Sequence, residues 1–238
     1  GAYGYAPVSA NKILVWGEAS KRFLMKYGVS EEKIVICGRS LYDEQISKGL
    51  YISGKGASTQ KPSVLITTQA FSEYTLGSAD EQSAFVTGLV DELTKRSDCH
   101  VVIRPHPAED PAFATSLTRK WPDRISMDSN RSIVDALSST DVLITRSSTS
   151  AIDAMLHGLY VVFFSQDCED PLGAVAANAA FVADSPRDTV DKVLEVLGST
   201  EVRSELRQGI VDYLEDYLSI SRGSATKRIA GYVVKEAK

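Results

Sequence analysis

The segment Arg104-Pro105-His106-Pro107 has residue types that suit the binding of a phosphate group. It directly follows an apolar run, at the position where a strand is expected to end. The two prolines restrict the backbone, so His106 stands on a rigid turn. A histidine placed in this way can donate to a phosphate oxygen or transfer a proton near neutral pH. A loop histidine that only caps a turn is the alternative, and the adjacent arginine favours the functional interpretation. We predict Arg104 and His106 to be catalytic residues that contact a phosphate.

The hydroxyl run Ser147-Ser148-Thr149-Ser150 is the second candidate. It lies between an apolar strand pattern and a helical pattern, and one such residue is the ordinary N-cap of a helix. Four in a row exceed that need, and they place hydroxyls and free N–H groups at a helix start, where a phosphate can bind. From the run alone, the two interpretations are equally supported. The presence of His106 at a neighbouring strand end favours phosphate binding.

Other polar residues are expected near the same place. Asp153 follows the hydroxyl run on a predicted helix. It either accepts hydrogen bonds from ribose hydroxyls or is only a carboxylate favoured by the helix dipole. Thr67, Thr68 and Gln69 follow another apolar strand pattern, and we predict that they contribute to a nucleotide and phosphate site at the same edge of the sheet.

No metal or cofactor is predicted. Asp167, Glu169 and Asp170 lie together in a polar segment, but acids in such segments are usually just solvated. The chain contains neither a GxxxxGK[ST] nor a GxGxxG phosphate loop, so dinucleotide and P-loop chemistry is not supported. Its three cysteines show no CxxC pair, which favours reduced thiols over disulfides or metal ligands.

These candidates depend on a fold that brings several strand ends together. The stretch from Thr140 to Phe164 is an apolar strand, a helix and a second apolar strand, which predicts a βαβ unit with strands buried on both faces. Strand and helix patterns alternate elsewhere, including a long helix from Asp80 to Arg96. A Gly-, Ser- and Lys-rich segment from Gly49 to Pro62 is predicted to be a mobile loop. The fold class is therefore α/β with a doubly wound parallel sheet, whose ligands bind at the carboxyl ends of the strands.

Composition and charge limit the possible functions. The net charge of −5 argues against a nucleic-acid binder, which needs clustered Lys and Arg. No apolar run approaches the ~20 residues needed to span a bilayer, and no signal peptide is visible. These features predict a cytoplasmic location, with peripheral attachment to the cytoplasmic face of the inner membrane left open. Residues 1–11 are expected to be an interdomain tail, and residues 12–238 one domain with C-terminal helices.

The motifs together resemble those of the carboxyl-terminal, donor-binding domain of GT-B glycosyltransferases. The resemblance rests on His106-Pro107, on Ser147-Ser148-Thr149, and on the apolar runs DVLI before and VVFF after the serine motif. Within that family, the chain is similar to the branch of enzymes with HP and SS or SST motifs that act in bacterial surface polysaccharide synthesis. That branch includes sialyl-, polysialyl- and Kdo transferases and the CDP-glycerol glycerophosphotransferases.

The resemblance implies a Rossmann-like domain that forms one half of a GT-B fold and binds a CMP-, CDP- or UDP-linked donor without a cofactor or metal. It implies that His106 and the motif Ser147-Ser148-Thr149 hold the nucleotide and its phosphates. Ser150 lies just beyond that motif, and Asp153 stands where a ribose-binding glutamate is more usual. The resemblance also implies an upstream Rossmann-like domain that supplies the catalytic base and binds a polysaccharide or lipid-linked glycan acceptor.

Two other functions stay open. A nucleotide-sugar 2-epimerase-like protein shares this fold, but it needs acid–base carboxylates near the sugar, and none is apparent in the sequence. A non-catalytic module that binds a carbohydrate precursor or a protein partner is the third interpretation.

Overall fold

The computed structural model describes residues 8–54, 61–69, 79–128, 132–165, 170 and 172–236. The chain divides into two units, one formed by Gly1–Gly49 with Val211–Lys238 and the other by Leu50–Ile210. The boundary near residue 210 falls within one long helix, Thr200–Leu218. The predicted tail over residues 1–11 and single domain over residues 12–238 stay predictions.

The first unit contains a short parallel sheet and several helices. Its elements are β1 (Ile13–Val15), α1 (Glu18–Lys26), β2 (Ile34–Ile36), α2 (Asp43–Lys48) and, after the second unit, α10 (Ala225–Glu236). Val15, Leu24 and Val29 form its small apolar core.

Asp43 caps helix α10 from a distant part of the chain. Its carboxylate accepts hydrogen bonds from the Ser224 hydroxyl (2.7 Å), the Ala225 N–H (2.7 Å) and the Thr226 N–H (2.9 Å). Desolvation by burial raises the pKa of Asp43, but the hydrogen bonds from Thr226, Ser224 and Ala225 outweigh it and lower this pKa from 3.8 to about 2. The ionised carboxylate therefore stabilises the start of the last helix.

The second unit is built on a parallel sheet of six strands among its described residues. The strands are β3 (Ser63–Thr67), β4 (His100–Arg104), β5 (Ile125–Met127), β6 (Val142–Thr145), β7 (Tyr160–Phe164) and β8 (Phe181–Ala183). Their order in the sheet is β5-β4-β3-β6-β7-β8. The chain thus builds outward from β3 in one direction and then returns to start the other half at β6. The reversal between β3 and β6 is the topological switch point of a doubly wound sheet, where such folds form a crevice.

Helices cover both faces of this sheet. They are α3 (Leu50–Ser53), α4 (Ala79–Arg96), α5 (Ala112–Lys120), α6 (Ile133–Ser138), α7 (Ser150–Leu156), α8 (Pro186–Gly198) and the first part of α9 (Thr200–Leu218). Val64, Ile66 and Val142 lie in one apolar cluster with residues of α4 and α8. Leu65 and Leu143 point to the opposite face, because side chains alternate along a strand, and both are fully buried. The prediction of a doubly wound α/β fold is confirmed.

One predicted loop contains a helix. Leu50–Ser53 forms α3, so the prediction of a mobile loop from Gly49 to Pro62 is wrong for these residues. The Tyr51 side chain is buried, and the Arg207 side chain donates to its carbonyl oxygen at 3.3 Å. The short helix is fixed by these tertiary contacts, which the local composition does not indicate. Residues 55–60 lie outside the described part of the chain.

Candidate functional site

A small cleft that is open to solvent lies at the carboxyl ends of β3 and β6. Its apolar wall includes Ile66, Phe85 and Phe164, and the two phenylalanine rings stack on each other. Its polar lining includes Thr67, Thr68, Gln69, Gln82, Thr145 and Arg146. The cleft therefore occupies the switch point of the sheet and offers both an apolar surface and hydrogen-bonding groups, as small-molecule sites do.

Two threonine hydroxyls in this cleft have no hydrogen-bond partner among the described residues. They belong to Thr67 and Thr145, and the hydroxyl oxygens of both are buried. Ile66 pairs with Ile144 in the sheet, so the two threonines that follow are neighbours at the strand ends. Thr145 is 2% exposed, and a buried hydroxyl without a partner costs about 1–3 kcal/mol. Such a pair is expected where a ligand supplies the missing hydrogen bonds.

The His106 loop is held by Glu109, a residue that the sequence interpretation did not select. The Glu109 carboxylate accepts hydrogen bonds from the Thr68 hydroxyl and the Gln82 side-chain amide. It also accepts from the backbone N–H of His106 at 2.8 Å. One carboxylate thus joins the end of β3, the first turns of α4 and the loop after β4.

The imidazole ring of His106 has a defined hydrogen-bond role. Its Nδ1 atom accepts from the backbone N–H of Ala108 at 3.2 Å, so Nδ1 carries no proton in this arrangement. The neutral ring then carries its proton on Nε2, where it is a hydrogen-bond donor. This tautomer suits donation to a phosphate oxygen, and it does not suit proton abstraction by Nε2.

A chain of hydrogen bonds connects the His106 loop to the serine turn. Gln82 accepts from the backbone N–H of Gln69 at 3.2 Å, and the Ser147 hydroxyl donates to the Gln69 side chain at 3.2 Å. With the Glu109 contacts, this chain brings Thr68, Gln69, His106 and Ser147 together. These four are among the residues predicted from the sequence.

The guanidinium group of Arg104 is engaged at the neighbouring strand. It forms an ion pair with Asp128, directly after β5, and the Asp128 side chain is only 5% exposed. It also donates to the carbonyl of Ser132 at 3.5 Å. This pairing offsets the positive charge of Arg104 locally, and its predicted contact with a phosphate stays a prediction.

The serine turn uses most of its early N–H groups internally. The Ser150 N–H donates to the Ser148 hydroxyl at 3.2 Å, and the Ala151 and Ile152 N–H groups donate to the carbonyls of Ser148 and Thr149. The expectation of free N–H groups at this helix start is therefore wrong for residues 150–152, because a tight turn precedes the helix. With only seven residues in α7, the hydroxyl groups are the more relevant part of the turn.

The remaining predicted residues lie on or near α7. Thr149 is exposed at the start of the helix, and the Ser150 hydroxyl is buried without a partner among the described residues. Asp153 is half-buried, whereas the other residues of α7 are buried. The roles proposed for Thr149 and Ser150 at a phosphate and for Asp153 at a ribose stay predictions.

Four residues of the site were missed from the sequence. Thr145 and Arg146 stand directly between the predicted strand and the serine run, so their position was a usable signal. Glu109 follows His106 by three residues, in the same loop. Gln82 had no local signal, because it reaches the site from the start of a helix that is distant in the chain.

No group of three or more His, Cys, Asp or Glu side chains that could hold a metal ion occurs among the described residues. Of the acids in the polar segment after β7, Asp167 and Glu169 lie outside this part of the chain. None of the described helices has the length and apolar character needed to cross a membrane.

The Rossmann-like sheet with its crevice matches one half of the GT-B and 2-epimerase folds. This confirms the fold that the sequence resemblance implied. No protein-family model matches the sequence, and no curated protein matches it either.

Three solved structures illustrate the likeness. A variant of the wall teichoic acid polymerase TagF matches 95% of this chain and 58% of its own, at 17% identity and a TM-score of 0.59. A UDP-GlcNAc 2-epimerase from Neisseria meningitidis, bound to UDP-GlcNAc, matches 98% of this chain and 66% of its own, at 14% identity and a TM-score of 0.67. MnaA from S. aureus, in a co-structure with UDP, matches 100% of this chain and 65% of its own, at 14% identity and a TM-score of 0.67.

The chain thus spans less than two thirds of the length of each of these proteins. At identities of 14% to 17%, the likeness shows the fold alone.

Proposed function

We propose that this chain is the nucleotide-sugar-binding part of a glycosyltransferase, or of a glycerophosphotransferase, in the synthesis of a bacterial capsule or surface polysaccharide. One observation carries the proposal. The His106 loop and the serine turn, on which the resemblance rests, are joined by hydrogen bonds through Glu109, Gln82 and Gln69. They meet beside a cleft at the switch point of the sheet, where doubly wound folds bind nucleotides.

In this proposal, the site stabilises the nucleotide as it leaves the sugar or glycerol phosphate. His106 donates from Nε2 to a phosphate oxygen, and hydroxyl groups of the serine turn donate to others. Donors that are fixed before the reaction lower the barrier, because they meet charge that grows on the leaving phosphate. Arg104 and Asp153 keep the roles predicted for them, at the phosphate and at the ribose.

The attack on the donor needs groups that we place in a separate domain. We propose an N-terminal Rossmann-like domain that supplies the catalytic base and binds the polysaccharide or lipid-linked glycan acceptor. The proposed place of the reaction is the cytoplasm or the cytoplasmic face of the inner membrane. In this scheme, neither a metal nor a cofactor is needed to bind the donor.

A 2-epimerase is the second candidate, since the UDP-GlcNAc 2-epimerase structure has a higher TM-score (0.67) than the TagF variant (0.59). An epimerase must remove and return a proton at the sugar, which needs a carboxylate or another base that is available for proton transfer. Glu109 is the carboxylate joined to this network, and it accepts three hydrogen bonds. That engagement favours a positioning role, and so the transferase.

Calorimetry with CMP, CDP, UDP and their sugar or glycerol derivatives tests the proposal. We expect at least one nucleotide to bind, and His106→Ala to weaken it by about 10- to 100-fold, the range for the loss of a hydrogen bond to a charged group. His100→Gln is the matched control, because His100 lies at the opposite end of β4 and contacts Ser126 at 2.9 Å.

Each outcome separates the candidates. If no nucleotide binds, a non-catalytic module is the better interpretation. Equal binding by wild type and His106→Ala contradicts the assigned site. Conversion of a bound nucleotide sugar to its 2-epimer, followed by NMR, supports the second candidate over the transferase.

A further inference from the structure

Arg146 places a positive charge in the cleft at the switch point. It follows β6 directly and is half-buried. Among the described residues that line the cleft, Arg146 carries the only charge. Arg104 does not belong to this lining. The charge that meets an anion in this cleft is therefore supplied by Arg146.

The unpartnered hydroxyls of Thr67 and Thr145 are an independent indication of a ligand in the same place. Both side chains line the cleft, and both hydroxyl oxygens are buried without a partner among the described residues. Thr145 is 98% buried, so it has little access to bulk water. A phosphate oxygen accepts hydrogen bonds from hydroxyls and from a guanidinium group together.

This place is distinct from the donors of the His106 loop. Thr67 and Thr145 lie on the paired strands β3 and β6, whereas His106 follows β4, on the far side of β3. Adjacent strands are about 4.8 Å apart. Two groups of donors that are separated by one strand spacing can each meet a different phosphate of one ligand.

We propose that Arg146, Thr67 and Thr145 form a second phosphate subsite, which selects nucleoside diphosphates over monophosphates. This inference rests on the proposed function and narrows its donor to a CDP- or UDP-linked compound. One phosphate lies at the His106 loop, and the other lies at Arg146, directly before the serine turn. The guanidinium fork suits bidentate contact with phosphate oxygens, which a lysine would not reproduce.

The test compares the affinities of the whole chain for CDP and CMP, and for UDP and UMP, by calorimetry. We expect wild type to prefer the diphosphate of one pair, and Arg146→Gln to weaken diphosphate binding by about 10- to 100-fold with less than about a threefold effect on the monophosphate. Arg119→Gln is the charge-matched control, because Arg119 is exposed at the last turn of α5, away from the cleft.

Thr145→Val separates a binding role from a structural one. It removes a buried hydroxyl that has no partner among the described residues, so the melting temperature should stay the same or rise. Diphosphate affinity should nevertheless fall by about tenfold. A parallel loss of stability and affinity would indicate a structural role and overturn the assignment of Thr145.

The outcomes also distinguish this inference from the function on which it rests. Suppose that a nucleotide binds wild type, and that Arg146→Gln either weakens the binding of the diphosphate and the monophosphate equally or leaves both unchanged. The second subsite is then wrong, and the proposed function stands. If wild type binds no nucleotide at all, both are wrong.

Discussion

Replacing Glu109 by glutamine tests whether the hydrogen-bond network controls nucleotide binding. The carboxylate accepts from the Thr68 hydroxyl, the Gln82 amide and the His106 N–H. A glutamine side chain has one acceptor oxygen, and its NH₂ group would face at least one of these three donors. Hydrogen bonds to a charged acceptor contribute about 1.5–3 kcal/mol each, and an unpaired buried donor costs about 1–3 kcal/mol. We therefore expect Glu109→Gln to reduce the stability of the ordered His106 loop by about 2–3 kcal/mol.

In the proposed function, His106 donates to the ligand only when its loop is ordered, so that loss should appear in nucleotide affinity. A change of 2–3 kcal/mol corresponds to about 30- to 150-fold weaker binding. Calorimetry on wild type, Glu109→Gln, His106→Ala and the double variant measures it. If Glu109 acts through His106, the double variant should bind nucleotide with about the same affinity as the single variant that has the lower affinity.

Glu205→Gln is the matched control, because it makes the same charge change at an exposed position of α9. Its nucleotide affinity should equal that of wild type. Unchanged affinity in Glu109→Gln, or losses that add fully in the double variant, would refute the reasoning.

Two further predictions concern stability, measured by urea unfolding. Asp43→Asn should lower the free energy of unfolding by about 1–2 kcal/mol at neutral pH. The reason is that the pKa of Asp43 is about 2 in the folded protein, below the ordinary 3.8. Because the carboxylate is partly exposed, solvent screening reduces its contribution to stability. This difference should be complete above about pH 4 and disappear as the pH falls towards 2, so a pH-independent difference would contradict it. Gly209→Ala should destabilise by about 1–3 kcal/mol, because a Cβ atom there would lie 2.1 Å from the carbonyl oxygen of Asn178. At Gly231, an added Cβ atom would meet no atom within 4 Å apart from its chain neighbours and its own helix backbone. Gly231→Ala should therefore stabilise by up to about 1 kcal/mol, and equal effects at both glycines would contradict the packing argument.

The sequence was sufficient to predict the elements that carry the site. The stretch from Thr140 to Phe164 folds as β6, α7 and β7, as its pattern indicates. Val142, Leu143 and Ile144 are apolar in succession because both faces of the sheet are covered, and each is at most 1% exposed. A pattern of this kind depends on burial alone, so it is visible without knowledge of the partners.

The connections between elements could not be predicted in this way. Gln82 meets Glu109 across 27 residues, and Arg104 meets Asp128 across 24 residues. No local pattern specifies such side-chain pairs, because they depend on how helices and strands are placed in space. The internal bonding of the serine turn was missed for a related reason: the residue types allow both an open helix start and a tight turn.

The position of the cleft between β3 and β6 also has a consequence for folding. These strands belong to different halves of the sheet, and the bond from the Ser63 N–H to Asp141 (2.8 Å) joins residues 78 positions apart. Contacts of such long range form slowly, because a long loop must be closed before they contribute. The cleft exists only once the two halves have joined, so a ligand that binds there stabilises the joined state, by about 2.7 kcal/mol at a concentration of 100 times Kd. A ligand of this kind would slow the separation of the two halves and have little effect on the rate at which they first meet.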